Sequence, residues 1–99
     1  MKWFLPPVLL ALLCAGFAFA DADALIRSRI NRHPVVSSNV ASVGYSHHLR
    51  VLEIEFTRGA IYRYFNVPPR IHRELMAAKS KGHYLALSIR GKYLFVRVR

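Results

Sequence analysis

Between Arg50 and Thr57 the chain alternates: Leu52, Ile54 and Phe56 fall on one side, Glu53 and Glu55 on the other. A period of two marks a strand with one apolar and one polar face. Thr57-Arg58-Gly59 breaks the run and Ala60 to Phe65 returns, so the segment reads as a hairpin whose loop length decides which side chains share a face. A two-residue loop at Arg58-Gly59 would pair Phe56 with Ile61 and turn Tyr62 and Tyr64 away from Leu52, Ile54 and Phe56. A three-residue loop, Thr57 to Gly59, instead pairs Phe56 with Ala60, Ile54 with Tyr62 and Leu52 with Tyr64. It also sets Glu53 opposite Arg63, an attractive cross-strand pair, and Gly59 at the left-handed position of a G1 bulge. Arg-Gly suits a type I′ turn poorly, so the three-residue register is expected, with Tyr62 and Tyr64 on the core face beneath a helix.

The flanking segments extend this hairpin. Val40 to Tyr45 is a short preceding strand. Asn66-Val67-Pro68-Pro69 ends the returning strand, and Pro69 suits the first turn of a helix in which Ile71, Leu75 and Ala78 form one stripe. Ser80 is placed to cap a second short helix through Tyr84, Leu85, Ser88 and Ile89, with strand as the alternative for Tyr84 to Ile89. Gly91 ends it. Lys92 to Arg99 alternates again, with Leu94, Val96 and Val98 against Tyr93, Phe95, Arg97 and Arg99. The expected class is α+β: a small antiparallel sheet of three to four strands with one or two short helices packed on one face.

The N-terminal part has a different character. Lys2 precedes the apolar run Val8 to Leu13, and Ala18-Phe19-Ala20 matches a small-x-small cleavage site before Asp21 and Asp23. Residues 1–20 therefore read as a signal peptide and the protein as exported, to the periplasm or secreted, with an uncleaved N-terminal anchor as the alternative. Cys14, the one cysteine, leaves with that segment, so the remainder has neither disulfide nor thiolate chemistry and is held by packing alone. Residues 21–37 form a basic lead-in. Ala22 to Arg32 fits a short helix, and His33-Pro34 reads as its stop.

From Ser38 onward the sequence resembles the KTSC domain, a family named for the C-terminus of some lysyl-tRNA synthetases. The resemblance runs in order through Ser38-Asn39-Val40, Val43-Gly44-Tyr45 and Leu52-x-Ile54-x-Phe56. It continues through Gly59, Tyr62-Arg63-Tyr64, Val67-Pro68, Ser80-Lys81-Gly82-x-Tyr84 and Ile89-Arg90-Gly91-Lys92-Tyr93. Family members often carry Asn and a polar pair where this chain has Ala86, Leu87 and Ser88. The resemblance implies a small domain over residues 38–99 with no established activity, nucleic-acid binding being the usual suggestion.

Charge is the main functional signal. Beyond residue 20 the chain holds fourteen Lys and Arg, eleven of them Arg, against five Asp and Glu. Such a surface favours phosphates and carboxylates, which guanidinium groups grip through paired hydrogen bonds. The densest stretch is Arg90, Lys92, Arg97 and Arg99, interleaved with Tyr93 and Phe95, and these six residues are the expected polyanion site, combining charge with rings on which bases stack. The expected partner is RNA or DNA, or an anionic envelope glycan or lipid headgroup. The alternative is a protein-interaction module of the cell envelope, docking through a sheet edge or the C-terminal strand. Glu53 and Glu55 on one strand face could mimic paired catalytic carboxylates, but Arg63 opposite them points to a solvated, neutralised face. The histidines His33, His47, His48, His72 and His83 show no H-x-x-x-H spacing. Neither enzyme activity, metal nor cofactor is expected.

Overall fold

The computed structural model describes residues 22–99; the expected signal peptide at residues 1–20 lies outside them. Five strands follow in order: β1 (Arg32–Pro34), β2 (Val40–Ser46), β3 (Val51–Phe56), β4 (Ile61–Tyr64) and, after helices α1 (Pro69–Ala77) and α2 (Lys81–Ser88), β5 (Phe95–Arg97). They form one sheet in the order β1-β2-β3-β4-β5, antiparallel throughout. The sheet thus has one strand more than the upper expectation, and the addition is β1. His33-Pro34, read as a helix stop, instead ends an edge strand, where proline's missing N–H is tolerated. Helical geometry in the lead-in extends over residues 22–27 only.

The β3–β4 hairpin has the three-residue loop. Ile54 pairs with Tyr62 and Leu52 with Tyr64. The Phe56 N–H donates to the Ala60 carbonyl at 2.9 Å and the Gly59 N–H to the Phe56 carbonyl at 2.8 Å. Gly59 has φ +99°, a conformation open to glycine and strained for other residues.

Both helices lie on the Leu52 and Ile54 side of the sheet. Pro69 opens α1, its fixed φ suited to a first turn, and the Ser80 hydroxyl caps α2 by accepting from the His83 N–H at 3.3 Å. Ile71 and Leu75 from α1, with Leu85 and Ile89 from α2 and its end, close over Val40, Val43, Leu52, Ile54, Tyr64 and Val67. Burying each such aliphatic side chain contributes roughly 1.5–3 kcal/mol, which supports a domain without cross-links.

The opposite face is where the structure departs most from the alternation pattern. Glu53 is buried rather than solvated, as are Arg63 and Ser42 beside it. Residues of the lead-in cover them. Arg63 Nη1 donates to the Leu25 carbonyl at 2.7 Å and Nη2 to the Ser28 carbonyl, while Ile30 is buried over the sheet. Gly44 makes this approach possible: a Cβ there would stand 2.5 Å from the Asn31 carbonyl oxygen and 2.9 Å from Ile30 Cγ2. The polar face of the hairpin is therefore a second interior, sealed by hydrogen bonds to a segment that strand periodicity could not place.

Candidate functional site

The helices leave the β4–β5 end of their sheet face uncovered. Because Tyr64 pairs with Phe95 and Tyr62 with Arg97, these four side chains share one face. Their rings form a ladder. Phe56 meets Tyr62 edge-on at 5.5 Å, Tyr62 stacks on Phe95 at 5.4 Å with 11° between planes, and Phe95 lies 5.7 Å from Tyr64. Exposure differs among its rings: Tyr64 is 2% exposed, Phe56 and Tyr62 are half-buried, and Phe95 is 54% exposed. Aromatic surface in such an open position is available to a planar ligand.

Beside the ladder lies an open cleft of about 440 Å³ lined by Asn39, Phe56, Thr57, Arg58, Ala60, Tyr62, Tyr64 and Arg90. Arg58 reaches it from the hairpin turn. Arg90 follows α2, where a cation is favoured near the free carbonyls of a helix end. Burial pushes the Tyr64 phenol up, and the Arg90 charge partly offsets this. The Thr57 N–H donates to the Asn39 carbonyl at 2.9 Å, fixing the start of β2 to the hairpin turn on the far side of the cleft.

The carboxylates are occupied elsewhere. Glu53 is gripped by Arg63 and Arg32, Glu55 by Arg32 and Arg99, and Glu74 by Arg70. Hydrogen bonds from Tyr84 and Arg70 hold the Glu74 carboxyl below its ordinary range. Burial and the bond to Glu74 push the Tyr84 phenol up to about 12. Among the described residues, Arg58, Arg90, Lys92 and Arg97 have no carboxylate partner, so the positive field at the cleft is not cancelled locally.

Of the six residues expected to form the polyanion site, Arg90 lines the cleft, and Phe95 and Arg97 stand on the same sheet face, opposite Tyr64 and Tyr62. Lys92 is exposed in the turn before β5. Tyr93 is half-buried, packs against the core and is not part of the ring ladder. Arg99 leaves the shared face. The Val98 N–H donates to the Ile61 carbonyl at 2.8 Å and the Ile61 N–H to the Arg99 carbonyl at 2.9 Å, so two residues stand opposite one. This bulge turns Arg99 toward Glu55, which it meets at 3.2 Å. Tyr62 has a dual position, inner edge against the core and outer face in the cleft. Asn39, Phe56 and Arg58 join the site without having been singled out as site residues; Asn39 and Phe56 were visible as motif residues, and Arg58 only as part of a turn.

A second cluster surrounds Tyr45, whose hydroxyl donates to the Val67 carbonyl. His72 stacks on it at 4.8 Å and His47 approaches edge-on at the same distance. Burial, with the neighbouring His47 and His33 adding to it, holds the His72 imidazole below its usual pKa. Among the described residues no group of three His, Cys, Asp or Glu is placed to hold a metal ion, and no helix is long and apolar enough to cross a membrane.

Comparison with known proteins gives this geometry a family. The KTSC domain model matches residues 36–93. The crystal structure of a KTSC domain protein from Yersinia pestis superposes with a TM-score of 0.68 at 40% identity, covering 72% of this chain and 100% of that one. An uncharacterized protein of Stutzerimonas stutzeri is 40% identical over 55 residues, 56% of this chain and 78% of its own length. A lysine–tRNA ligase of Nostoc punctiforme is 38% identical over 58 residues, which are 59% of this chain but 10% of the ligase. The family match begins after β1 and stops before β5, so the covering lead-in and the last strand are outside it. On a match over more than half its length, the chain belongs to the KTSC domain family.

Proposed function

We propose that this protein is an exported, non-enzymatic binding domain whose ligand is single-stranded nucleic acid, held on the Phe56–Tyr62–Phe95 ladder and its flanking arginines. The observation that carries the reading is the ladder itself: rings in contact that end on exposed Phe95, with Arg58 and Arg90 lining the cleft and Arg97 opposite Tyr62. Single strands are bound without sequence demands by cations that track phosphates and rings that stack on bases. A similar segment forms part of lysine–tRNA ligases, proteins named for acting on an RNA, which favours nucleic acid over an anionic glycan or lipid headgroup. Binding is preferred to catalysis because each glutamate of the domain is engaged by arginine. Export rests on Lys2, the apolar run and Ala18-Phe19-Ala20.

One observation favours a second reading. Leu94 O accepts from the Phe65 N–H, and Val98 N–H donates to Ile61, so the backbone groups of Phe95 and Arg97 point away from β4 as a free sheet edge. Leu94 is 82% exposed beside it. An extended peptide could add there.

Fluorescence anisotropy of the chain from Asp21 onward with labelled single-stranded DNA and RNA, at two salt concentrations, decides between them. The proposed function requires affinity that weakens steeply with salt and falls on changing Phe95→Leu. Absence of binding at low salt, or tighter binding to lipopolysaccharide or a sulfated glycan than to either nucleic acid, would overturn it.

A further inference from the structure

We propose that the free edge of β5 pairs with β5 of a second copy of this chain, giving a dimer in which the two sheets continue into each other. The inference concerns the sheet edge, not the cleft, and stands apart from the nucleic-acid reading.

Uncovered apolar surface gathers on this strand. Leu94 is 82% exposed, Phe95 54% and Val98 36%. Phe95 pairs with Tyr64, Val96 with Arg63 and Arg97 with Tyr62 across β4. The Leu94 carbonyl and the Val98 N–H bond toward β4, so the N–H and C=O groups of Phe95 and Arg97 are directed outward. Among the described residues no further strand meets them. The other edge of the sheet is blunted: β1 ends on Pro34, which has no N–H to offer. One open edge per chain gives a closed pair rather than a growing fibre.

The sequence of the strand selects a second copy as the occupant. Two antiparallel copies of Leu94-Phe95-Val96-Arg97-Val98, centred on Val96, set Leu94 opposite Val98 of the second copy, Phe95 opposite its Arg97 and Val96 opposite its Val96. Phe95 and Arg97 carry the outward groups, so each such pair exchanges both of its N–H···O bonds. Leu94, Val96 and Val98 fall at the positions without hydrogen bonds, where side chains across two strands stand closest, and there apolar meets apolar. On the other face each Phe95 ring receives a guanidinium, a complementary match of cation and ring. Stacking uses the flat face of the guanidinium, which leaves the Arg97 Nε bond to the Arg99 carbonyl at 3.1 Å in place.

Such a strand pair is far smaller than the roughly 20–30 residues a side of a standard interface, so the dimer is a weak one. Like charge opposes it, because both copies carry a large excess of Lys and Arg. Salt screens that repulsion. Association therefore strengthens as salt rises, opposite in direction to phosphate binding.

The test is sedimentation equilibrium of the chain from Asp21 onward, from about 10 μM to about 1 mM at low and high salt, a range suited to a weak interface. The expected result is a monomer–dimer equilibrium that stops at the dimer and shifts toward it with salt. Amide exchange should slow at Phe95 and Arg97 as concentration rises. Leu94→Glu changes an exposed side chain and should weaken the dimer about tenfold or more, since it sets a charge against Val98 of the second copy. Arg97→Pro removes an outward N–H that β4 does not use, so it should abolish the dimer while thermal melting stays close to the parent. A monomer at every concentration and both salts overturns the inference and leaves the nucleic-acid reading standing. A dimer that persists in both variants assigns the contact to another surface and overturns it too. So does weakening of the dimer by salt.

Discussion

Arg63 and Glu53 face each other across the β3–β4 ladder with Nε 2.6 Å from Oε1, and their side chains are 7% and 3% exposed. Removing one partner of such a pair leaves a buried charge uncompensated, which costs about 3–5 kcal/mol. Arg63→Met should therefore lower the unfolding free energy by about that amount in urea titrations. Combining it with Glu53→Met should cost less than the two single losses added together, because the second change removes the orphaned charge. Additive losses would mean that the two groups do not act as a unit.

The same guanidinium holds the lead-in through the carbonyls of Leu25 and Ser28. In Arg63→Met the segment should open locally, and trypsin should cut after Arg27 and Arg29 faster than in the parent at a temperature where both remain folded. Equal cleavage rates would show that Ile30 and β1 hold the segment without it.

Acid should destabilise the fold through His72. Its imidazole is held below the ordinary value of about 6.5, so between its folded pKa and 6.5 the unfolded chain binds more protons than the folded one. Stability then rises with pH through that window and is lost as pH falls through it. His47 lies edge-on to the same ring at 6.4 Å, and His33 and Arg29 line a shallow cleft with it, so nothing there rewards the added charge. Melting temperatures recorded from pH 8 to pH 5 should fall, and His72→Phe, which can keep the stack on Tyr45, should flatten the slope. A slope unchanged by that substitution would assign the acid sensitivity to other groups.

The hairpin could be read from sequence because its evidence is local. Alternation, loop length, the Gly59 turn and the Glu53–Arg63 pairing all select one register, and the structure has it. The helix boundaries follow for the same reason, from Pro69 and Ser80. What could not be read lies in contacts between distant segments. Nothing local says that residues 22–32 lie across the sheet, so Glu53 looked solvated and β1 was missed. The site divides the same way. Arg90, Phe95 and Arg97 carry a visible signal of charge interleaved with rings. Tyr93 and Arg99 share that signal and go elsewhere, one because the core takes its ring, the other because the bulge at Val98 redirects it. Asn39 and Arg58 reach the cleft only through folding.

The two tyrosines of the central motif should separate in function. Tyr64 is buried and Tyr62 is half-buried with its ring stacked on exposed Phe95. Tyr64→Ala should cost about 3–5 kcal/mol, as for a large core aromatic, and binding should follow the folded fraction. Tyr62→Leu keeps much of the apolar contact with the core and should lose less stability, yet lose roughly 1–3 kcal/mol of binding if one base stacks on it. Thermal melts paired with anisotropy titrations check both. Stability losses of equal size with binding intact in Tyr62→Leu would make both residues purely structural.

The arginines around the cleft should set the salt dependence. If Arg58, Arg90 and Arg97 each meet one phosphate of a single strand, replacing all three with Gln should reduce the log–log salt slope by roughly 2, at about 0.7 for each phosphate. The change should leave stability nearly untouched, because all three are exposed and none has a carboxylate partner among the described residues. The matched control replaces Arg50, Arg73 and Lys79, which are also exposed and lie outside the cleft. It removes the same charge, so long-range attraction falls equally in both variants and any difference between their slopes measures direct contact. A steeper loss from the cleft set locates the phosphates beside the ring ladder. Equal changes from the two sets would mean that net charge alone drives association and that the arginines of the cleft hold no particular phosphate.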